Sequence, residues 1–580
     1  MIKGFRLPRD KLHHLRLSAP LILALAVYFG LLLPTLTRQG ISWDEQTDLE
    51  ISRAYLQPAG WLKGSPLDPS QTRLPHASVA LVYHLTSTDD LLTARLVSAM
   101  AGAVTLAGVY LLGKRLFTPA AGWIAALLLA SSPFYLSFAR VAFTETDIYL
   151  ACAVIWLLLA LERLRQQPTL GRAALAGLLL GMAISAKFTT LTLLPVVGYT
   201  IYLSKHADPS SRLASAPPWQ AGVAAILPGG LAIGGCILAR FYPSGEGIEM
   251  LRFPLFILLL AGWLAVLTWL AWRHRQTTSP FLLATLVVNL ALLTFLLAPP
   301  DHLTNPAILN SLASRFAQEM RFNPAFVGEA AGLHLLSILF KSSPLAGLGL
   351  LCGWGFALAR ARRPELRIPL LTSLGYSAGL LLLPLAQTFY MIPILPILAV
   401  FLGDGISLLV RLWRFPSLVL VGGIALVLAV DLAACYPDYN LNGYQWLGNR
   451  TLLGRSTIGY RSVVQTPSDG VEQVINWLNQ HAASGEQVTS YLLEEHILKA
   501  LAPNPPYRII YGIRKESRPT TDYVLTEINT DIAQSWWTRP ISTSASAPLY
   551  DAAWLEDQYT RVFSVQRAFG ITMAAVWKRK

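Results

Sequence analysis

Apolar residues fall along the chain in runs of about 20, the length a helix needs to cross a bilayer, separated by short polar stretches. The first run covers about 19–36. Others lie near 94–113, 119–138, 147–161, 171–186, 188–204, 220–239, 254–272, 280–299, 343–359, 368–386, 390–410 and 416–434, which predicts about thirteen transmembrane helices. Two polar stretches are too long to be connectors. In the first, about 38–92, helical spacing of Leu49, Ala54 and Tyr55 and of Val79, Leu81 and Val82 predicts two short helices, at 44–56 and 74–85, lying along the membrane surface. The second, about 300–342, carries Asn305, Asn310, Arg315, Arg321 and Asn323 and reads as a mobile loop over a site. Beyond Pro437 the pattern is that of a soluble unit. Val471, Val474, Ile475 and Leu478 mark an amphipathic helix within 469–483, and strand-like runs follow at 487–492, 508–513, 523–528 and 570–577.

Composition agrees with a membrane protein. Of 580 residues 53% are hydrophobic and 14% charged, whereas soluble domains average roughly a quarter charged. That excludes a disordered chain, a coiled coil and an ordinary soluble enzyme. The net charge of +13 would fit nucleic-acid binding, but the basic residues sit between apolar runs, where they set orientation. Lys3, Arg6, Arg9, Lys11 and Arg16 precede the first run, which reads as a retained helix with a cytoplasmic N-terminus. Lys114 and Arg115; Arg163, Arg165 and Arg172; Arg273 and Arg275; Arg360, Arg362, Arg363 and Arg367; and Arg411 and Arg414 fall on that same side. The acids Asp44, Glu45, Asp48, Glu50, Asp68, Asp89, Asp90, Glu145 and Asp147 fall on the other. The expected architecture is a polytopic α-helical membrane domain over 1–436, with its first outer loop at about 38–92, and a small extracytoplasmic α/β domain over 437–580. The four cysteines form no disulfide or zinc pattern.

The strongest local signal is Ser42-Trp43-Asp44-Glu45-Gln46-Thr47-Asp48, just outside the first span. Adjacent carboxylates beside an indole supply a general base for an acceptor proton; the same string also fits a solvated acidic helix start, the better reading when it is considered alone. A metal at Asp44 and Asp48 has no neighbouring histidine. Trp43 and Tyr390 read as packing. In the next outer turn Arg140 stands near Glu145 and Asp147, as a local ion pair or as an organiser of the first-loop acids. Lys187 interrupts an apolar stretch from 173 to 203, where an ammonium either snorkels or meets an anion such as a lipid phosphate. Arg95 and Lys341, at other span boundaries, fit the same role.

These features occur in an order that resembles the GT-C glycosyltransferases, specifically the branch with protein O-mannosyltransferases and the lipid A aminoarabinose transferase. The acidic pair is followed by Thr93-Ala94-Arg95-Leu96-Val97-Ser98-Ala99-Met100-Ala101-Gly102, Tyr110-Leu111-Leu112-Gly113-Lys114-Arg115-Leu116-Phe117, Ser131-Ser132-Pro133 through Arg140, Thr144-Glu145, and a Gly-rich span from Gly177 to Lys187. The resemblance covers 40–200, and more loosely 340–410 through Lys341 and Tyr390-Met391-Ile392-Pro393-Ile394-Leu395-Pro396. It implies an inverting transferase that takes a sugar from a polyprenyl-phosphate donor to an extracytoplasmic lipid, glycan or protein, in what is expected to be a bacterial inner membrane. It implies Asp44 as the base with Glu45 beside it, Glu145 as the second acid, and Arg95 and Lys187 on the donor phosphate, with no cofactor. No metal is expected. Phe389 before Tyr390, and Leu74-Pro75-His76 in place of a His-Pro-Pro segment, depart from the family pattern. A transporter or flippase of lipid-linked saccharides is the alternative, against which stand the one-sided clustering of charge and the lack of an inverted repeat. A scaffold protein is a third reading.

Overall fold

A computed structural model describes residues 9–38, 40–41, 43–57, 73–142, 147–204, 280–297, 324–382, 388–412, 417–439, 470–491, 498, 501–511, 518–527, 552–567 and 572–580. The predicted spans at 220–239 and 254–272 lie outside the described residues. The membrane part contains α1 (Arg9–Leu32), α2 (Trp43–Ala54), α3 (Leu74–Thr86), α4 (Leu91–Leu116), α5 (Pro119–Ala130), α6 (Pro133–Ala139), α7 (Asp147–Gln166), α8 (Leu170–Ala186) and α9 (Leu194–Ser204). It continues with α10 (Pro280–Leu297), α11 (Pro324–Leu336), α12 (Pro344–Ala359), α13 (Pro364–Leu382), α14 (Leu395–Leu412) and α15 (Ser417–Cys435).

The helix starts are written locally. Asp90 accepts from the Thr93 N–H at 2.6 Å to open α4, and Thr118 and Thr169 cap α5 and α8 in the same way. Lys114 and Arg115 close α4, where positive charge meets the negative end of the helix dipole. Among the described residues Leu91–Leu116 and Tyr390–Leu412 are each long and apolar enough to cross a membrane, and six shorter apolar helices accompany them. The run predicted as one span over 119–138 is bent by 64° between α5 and α6. Pro133 explains it: the residue before a proline is pushed out of the helical region, and Ser132 sits extended at ψ 117°. Likewise, the span expected at 390–410 begins as a 3-10 turn, Thr388–Ile394. The expected mobile loop at 300–342 is corrected over its second half, since α11 and a π-helical turn, Ser337–Lys341, run straight into α12.

Contact between α8 and α10 rests on two small residues one turn apart. A Cβ at Gly177 would lie 2.7 Å from Val287 O, and one at Gly181 2.4 Å from Ala291 O. The backbones therefore touch, as in small-xxx-small membrane packing. Because Gly177 meets Val287 and Gly181 meets Ala291, the register advances the same way on both helices, and α8 and α10 run parallel.

After α15 comes helix α16 (Val471–His481), then β1 (Gln487–Ser490), β2 (Arg508–Tyr511) and β3 (Tyr523–Glu527), helix α17 (Ala552–Gln558), β4 (Tyr559–Gln566) and β5 (Thr572–Arg579). The sheet order is β2-β1-β3-β5-β4, with β1, β2 and β3 parallel and β5 antiparallel to both β3 and β4. Sequence periodicity missed β4, whose alternation is interrupted by register shifts at Arg561/Phe563 and Val565/Gln566. The boundary expected at Pro437 does not separate two cores. Ile41, Leu49, Val79, Tyr83, Ala94 and Ala142 share one buried cluster with Val471, Val474, Ile475 and Leu478 of α16.

Candidate active site

Helix α2 buries Glu45, Asp48, Leu49 and Ser52, which are 0, 1, 3 and 0% exposed. These are the i, i+3, i+4 and i+7 positions of one helix face. The inward face is thus largely polar, and the reading of this string as a solvated acidic start is corrected for Glu45 and Asp48. Glu45 grips Arg95 through two bonds, Nε to Oε1 at 2.8 Å and Nη2 to Oε2 at 2.7 Å. The same guanidinium donates to the carbonyls of Leu36 and Gly40 at the outlet of α1. Glu45 Oε1 also accepts from the Ala142 N–H at 2.7 Å. One buried fork therefore ties together the start of α2, the head of α4, the chain leaving α1 and the turn that leads to residues 143–146.

Arg95 was expected on the donor phosphate and Glu45 beside the base. In the structure they hold each other at 2 and 0% side-chain exposure. Asp44 lies in the first turn of α2 and Asp147 in the first turn of α7. Their side chains, that of Trp43, and all of Glu145 lie outside the described residues.

A second buried pair was not foreseen. His76 Nε2 donates to Asp48 Oδ1 at 3.1 Å, with both side chains at most 1% exposed. His76 occupies the departure from the His-Pro-Pro pattern, and Asp48 is one helical turn beyond Asp44, so the pair fastens α3 to the helix that carries the expected base. The signal in the sequence was Asp48 recurring four residues after Asp44 on a face shared with Ser52.

The cations stand on a neighbouring part of the bundle. Lys187 caps α8 in an extended conformation, and its Nζ lies 4.2 Å from the centre of the Tyr390 ring, close enough for a cation–π contact. Tyr390 is buried on the Thr388–Ile394 turn, so its packing role includes seating Lys187. That turn packs against α7, α11 and the π turn that ends in Lys341. Lys341 is 1% exposed, and burial pushes its ammonium down to about 7. Helix α3, fastened to the acids, packs in turn against α8. Arg140 is drawn to the entrance of the C-terminal part: Nη1 donates to Pro437 O at 2.6 Å, and its guanidinium lies 5.6 Å from the centre of the Tyr439 ring. Among the described residues no group of three His, Cys, Asp or Glu side chains stands close enough to hold a metal ion.

Residues 74–229 match the family model described as dolichyl-phosphate-mannose-protein mannosyltransferase. No curated protein matches the chain. The structure of ArnT from Cupriavidus metallidurans in the apo state is similar with a TM-score of 0.50 at 14% identity, covering 98% of both chains. ArnT from the same organism bound to undecaprenyl phosphate gives 0.48 at 14% identity, over 97% of this chain and 98% of that one. The Archaeoglobus fulgidus oligosaccharyltransferase in complex with Zn and sulfate gives 0.47 at 14% identity, over 96% of this chain and 73% of that one. Over residues 74–229 the chain is thus similar to the dolichyl-phosphate-mannose-protein mannosyltransferase family, and along nearly the whole length of both chains it shares the fold of ArnT.

Proposed function

We propose that the protein transfers a sugar from a polyprenyl-phosphate donor to an extracytoplasmic acceptor with inversion, Asp44 acting as general base. The observation that carries this reading is the Glu45–Arg95 fork. It fixes the start of α2, and with it the backbone of Asp44, at the outlet of the first membrane helix, while Lys187 stands over the Tyr390 ring and Lys341 ends a turn packed on the Thr388–Ile394 turn, with α3 and α8 joining Lys187 to α2. In this reading Asp44 takes the acceptor hydroxyl proton as that oxygen attacks the anomeric carbon. The bond to the donor phosphate breaks, and Lys187 and Lys341 stabilise the charge gathering on the leaving phosphate. Glu145 and Asp147, which follow Ala142 closely in the sequence, orient the acceptor in this reading. Each buried CH₂ of a polyprenyl tail contributes about 0.8 kcal/mol, so an apolar groove between helices supplies most of the donor affinity and the cations need hold only one phosphate.

About thirteen spans, a cytoplasmic N-terminus and an outer site in a bacterial inner membrane belong to the same proposal. The parallel course of α8 and α10 supports it, since it requires an even number of intervening crossings to follow α8 after the return through α9. The test is to offer purified protein a panel of polyprenyl-phosphate sugars and nucleotide sugars and to follow sugar transfer. Turnover from the polyprenyl-phosphate series is the expected result. Turnover from nucleotide sugars alone would sink the proposal, and movement of intact lipid-linked saccharide across a vesicle membrane without sugar transfer would favour a flippase.

A further inference from the structure

The segment from His334 to Ser343 breaks regular helix twice within a few residues. Its Ser337–Lys341 turn is π-helical, a rare form found frequently at functional sites. Ser343 then takes φ 80° and ψ 138°, a conformation that is strained for a residue with a Cβ and persists only where its surroundings hold it. Ser343 occupies the N-cap of the 16-residue helix α12, yet its side chain makes no cap bond there. Among the described residues its buried hydroxyl has no hydrogen-bond partner, and neither has Nε2 of His334, a residue 5% exposed. Buried polar atoms of this kind call for an explanation.

Ser342 has a bland one. It lines a cavity of about 20 Å³ together with Ser132, room for a single water. Helix α11 and the π turn both pack on the Thr388–Ile394 turn, whose Tyr390 ring carries Lys187 on it. Lys341 ends that π turn, so it and Lys187 both stand on elements joined to the Thr388–Ile394 turn.

Resting on the proposed transferase function, we infer that the His334–Ser343 segment is the wall of the donor site that reads the headgroup, with Lys341 and the Ser343 hydroxyl taking the phosphate and His334 taking a sugar hydroxyl. The division follows from charge. Phosphate calls for an ammonium, a hydroxyl donor and the partial positive charge of a helix start, and Lys341, Ser343 and the N-terminus of α12 adjoin one another. Burial pushes the His334 imidazole down to about 4, so at neutral pH it is uncharged and offers one donor or one acceptor, which suits a hydroxyl.

The experiment compares equilibrium binding of a polyprenyl phosphate and of the same polyprenyl phosphate carrying one hexose, to full-length protein in nanodiscs. Lys341→Met should weaken both ligands about tenfold or more, as expected for a hydrogen bond to a charged group. His334→Leu should weaken the hexose-bearing ligand about tenfold and leave the bare polyprenyl phosphate within about twofold. His334→Phe keeps a ring of similar size without the nitrogens and carries the same test if the leucine variant does not fold. His334→Gln, which keeps a donor and an acceptor, should restore hexose-dependent affinity. A wild-type protein that binds both ligands while His334 variants lose neither, or lose both equally, overturns the inference and leaves the transferase reading standing. A wild-type protein that binds neither ligand overturns both.

Discussion

At Glu45 and Arg95 a buried ion pair stands where the sequence offered a solvated acid and a phosphate ligand. Breaking such a pair by removing one partner typically costs about 3–5 kcal/mol, because the other charge stays buried. Glu45→Gln and Arg95→Met should each lower the unfolding midpoint strongly, and the double variant should lose less than the sum. Chemical denaturation of the detergent-purified protein checks this, and additive losses would show that the two residues act apart. Lys341 gives a prediction in pH. Its charged form binds phosphate and, with its ammonium pushed down to about 7, is present below that pH and lost above it. Donor capture, read as kcat/KM for the donor, should therefore be full below about pH 7 and fall about tenfold per unit above it. The bound phosphate holds the proton on, so the limb in kcat lies higher. Lys341→Met should remove the limb. A limb that persists in that variant belongs to another group. The acids at 44–48 were legible as candidate chemistry only through the order of the motifs around them, since taken alone they read better as a solvated helix start. Their burial was not, since partners at Arg95, Ala142 and His76 lie tens of residues away.

Among the elements, α8 has the tightest demands. A Cβ at Gly181 would stand 2.4 Å from Ala291 O and 2.5 Å from Thr294 Cβ, contacts that one of the two helices must yield to. Gly181→Ala should cost about 1–3 kcal/mol through overpacking and, because Lys187 caps the same helix, raise the donor KM more than it lowers kcat. Gly171→Ala, where nothing lies within 4 Å, serves as the control, and equal effects of the two would reject the packing argument. Hydrophobic runs revealed most helices of the bundle, since length and polarity in lipid are set by the chain itself. They did not reveal the bend at Ser132 or the π turn at Ser337–Lys341, where local backbone chemistry overrides an unbroken apolar run. They also made a loop of residues 324–341 because His334 and Lys341 diluted an apolar helix with the very groups proposed to bind the donor headgroup.

For the molecule as a whole, the change in composition after Pro437 marked a separate domain. Ile41, Leu49, Val79 and Tyr83 nevertheless share a buried cluster with Val474, Ile475 and Leu478. Removing residues 440–580 should uncover the apolar faces of α2 and α3, giving a protein that aggregates or loses turnover. Val474→Asp, which buries an unpaired charge at a fully buried position, should reproduce much of the loss, and a monodisperse, fully active truncation would contradict this. The central claim is that the fold holds Asp44 at the outlet of the first span as the base for sugar transfer. The most direct measurement is single-turnover transfer from a polyprenyl-phosphate sugar by wild-type protein and by Asp44→Asn, alongside donor binding to each. A loss of about 10²–10⁴ in rate with donor affinity and unfolding midpoint unchanged is the predicted result; transfer by Asp44→Asn at the wild-type rate would contradict the account.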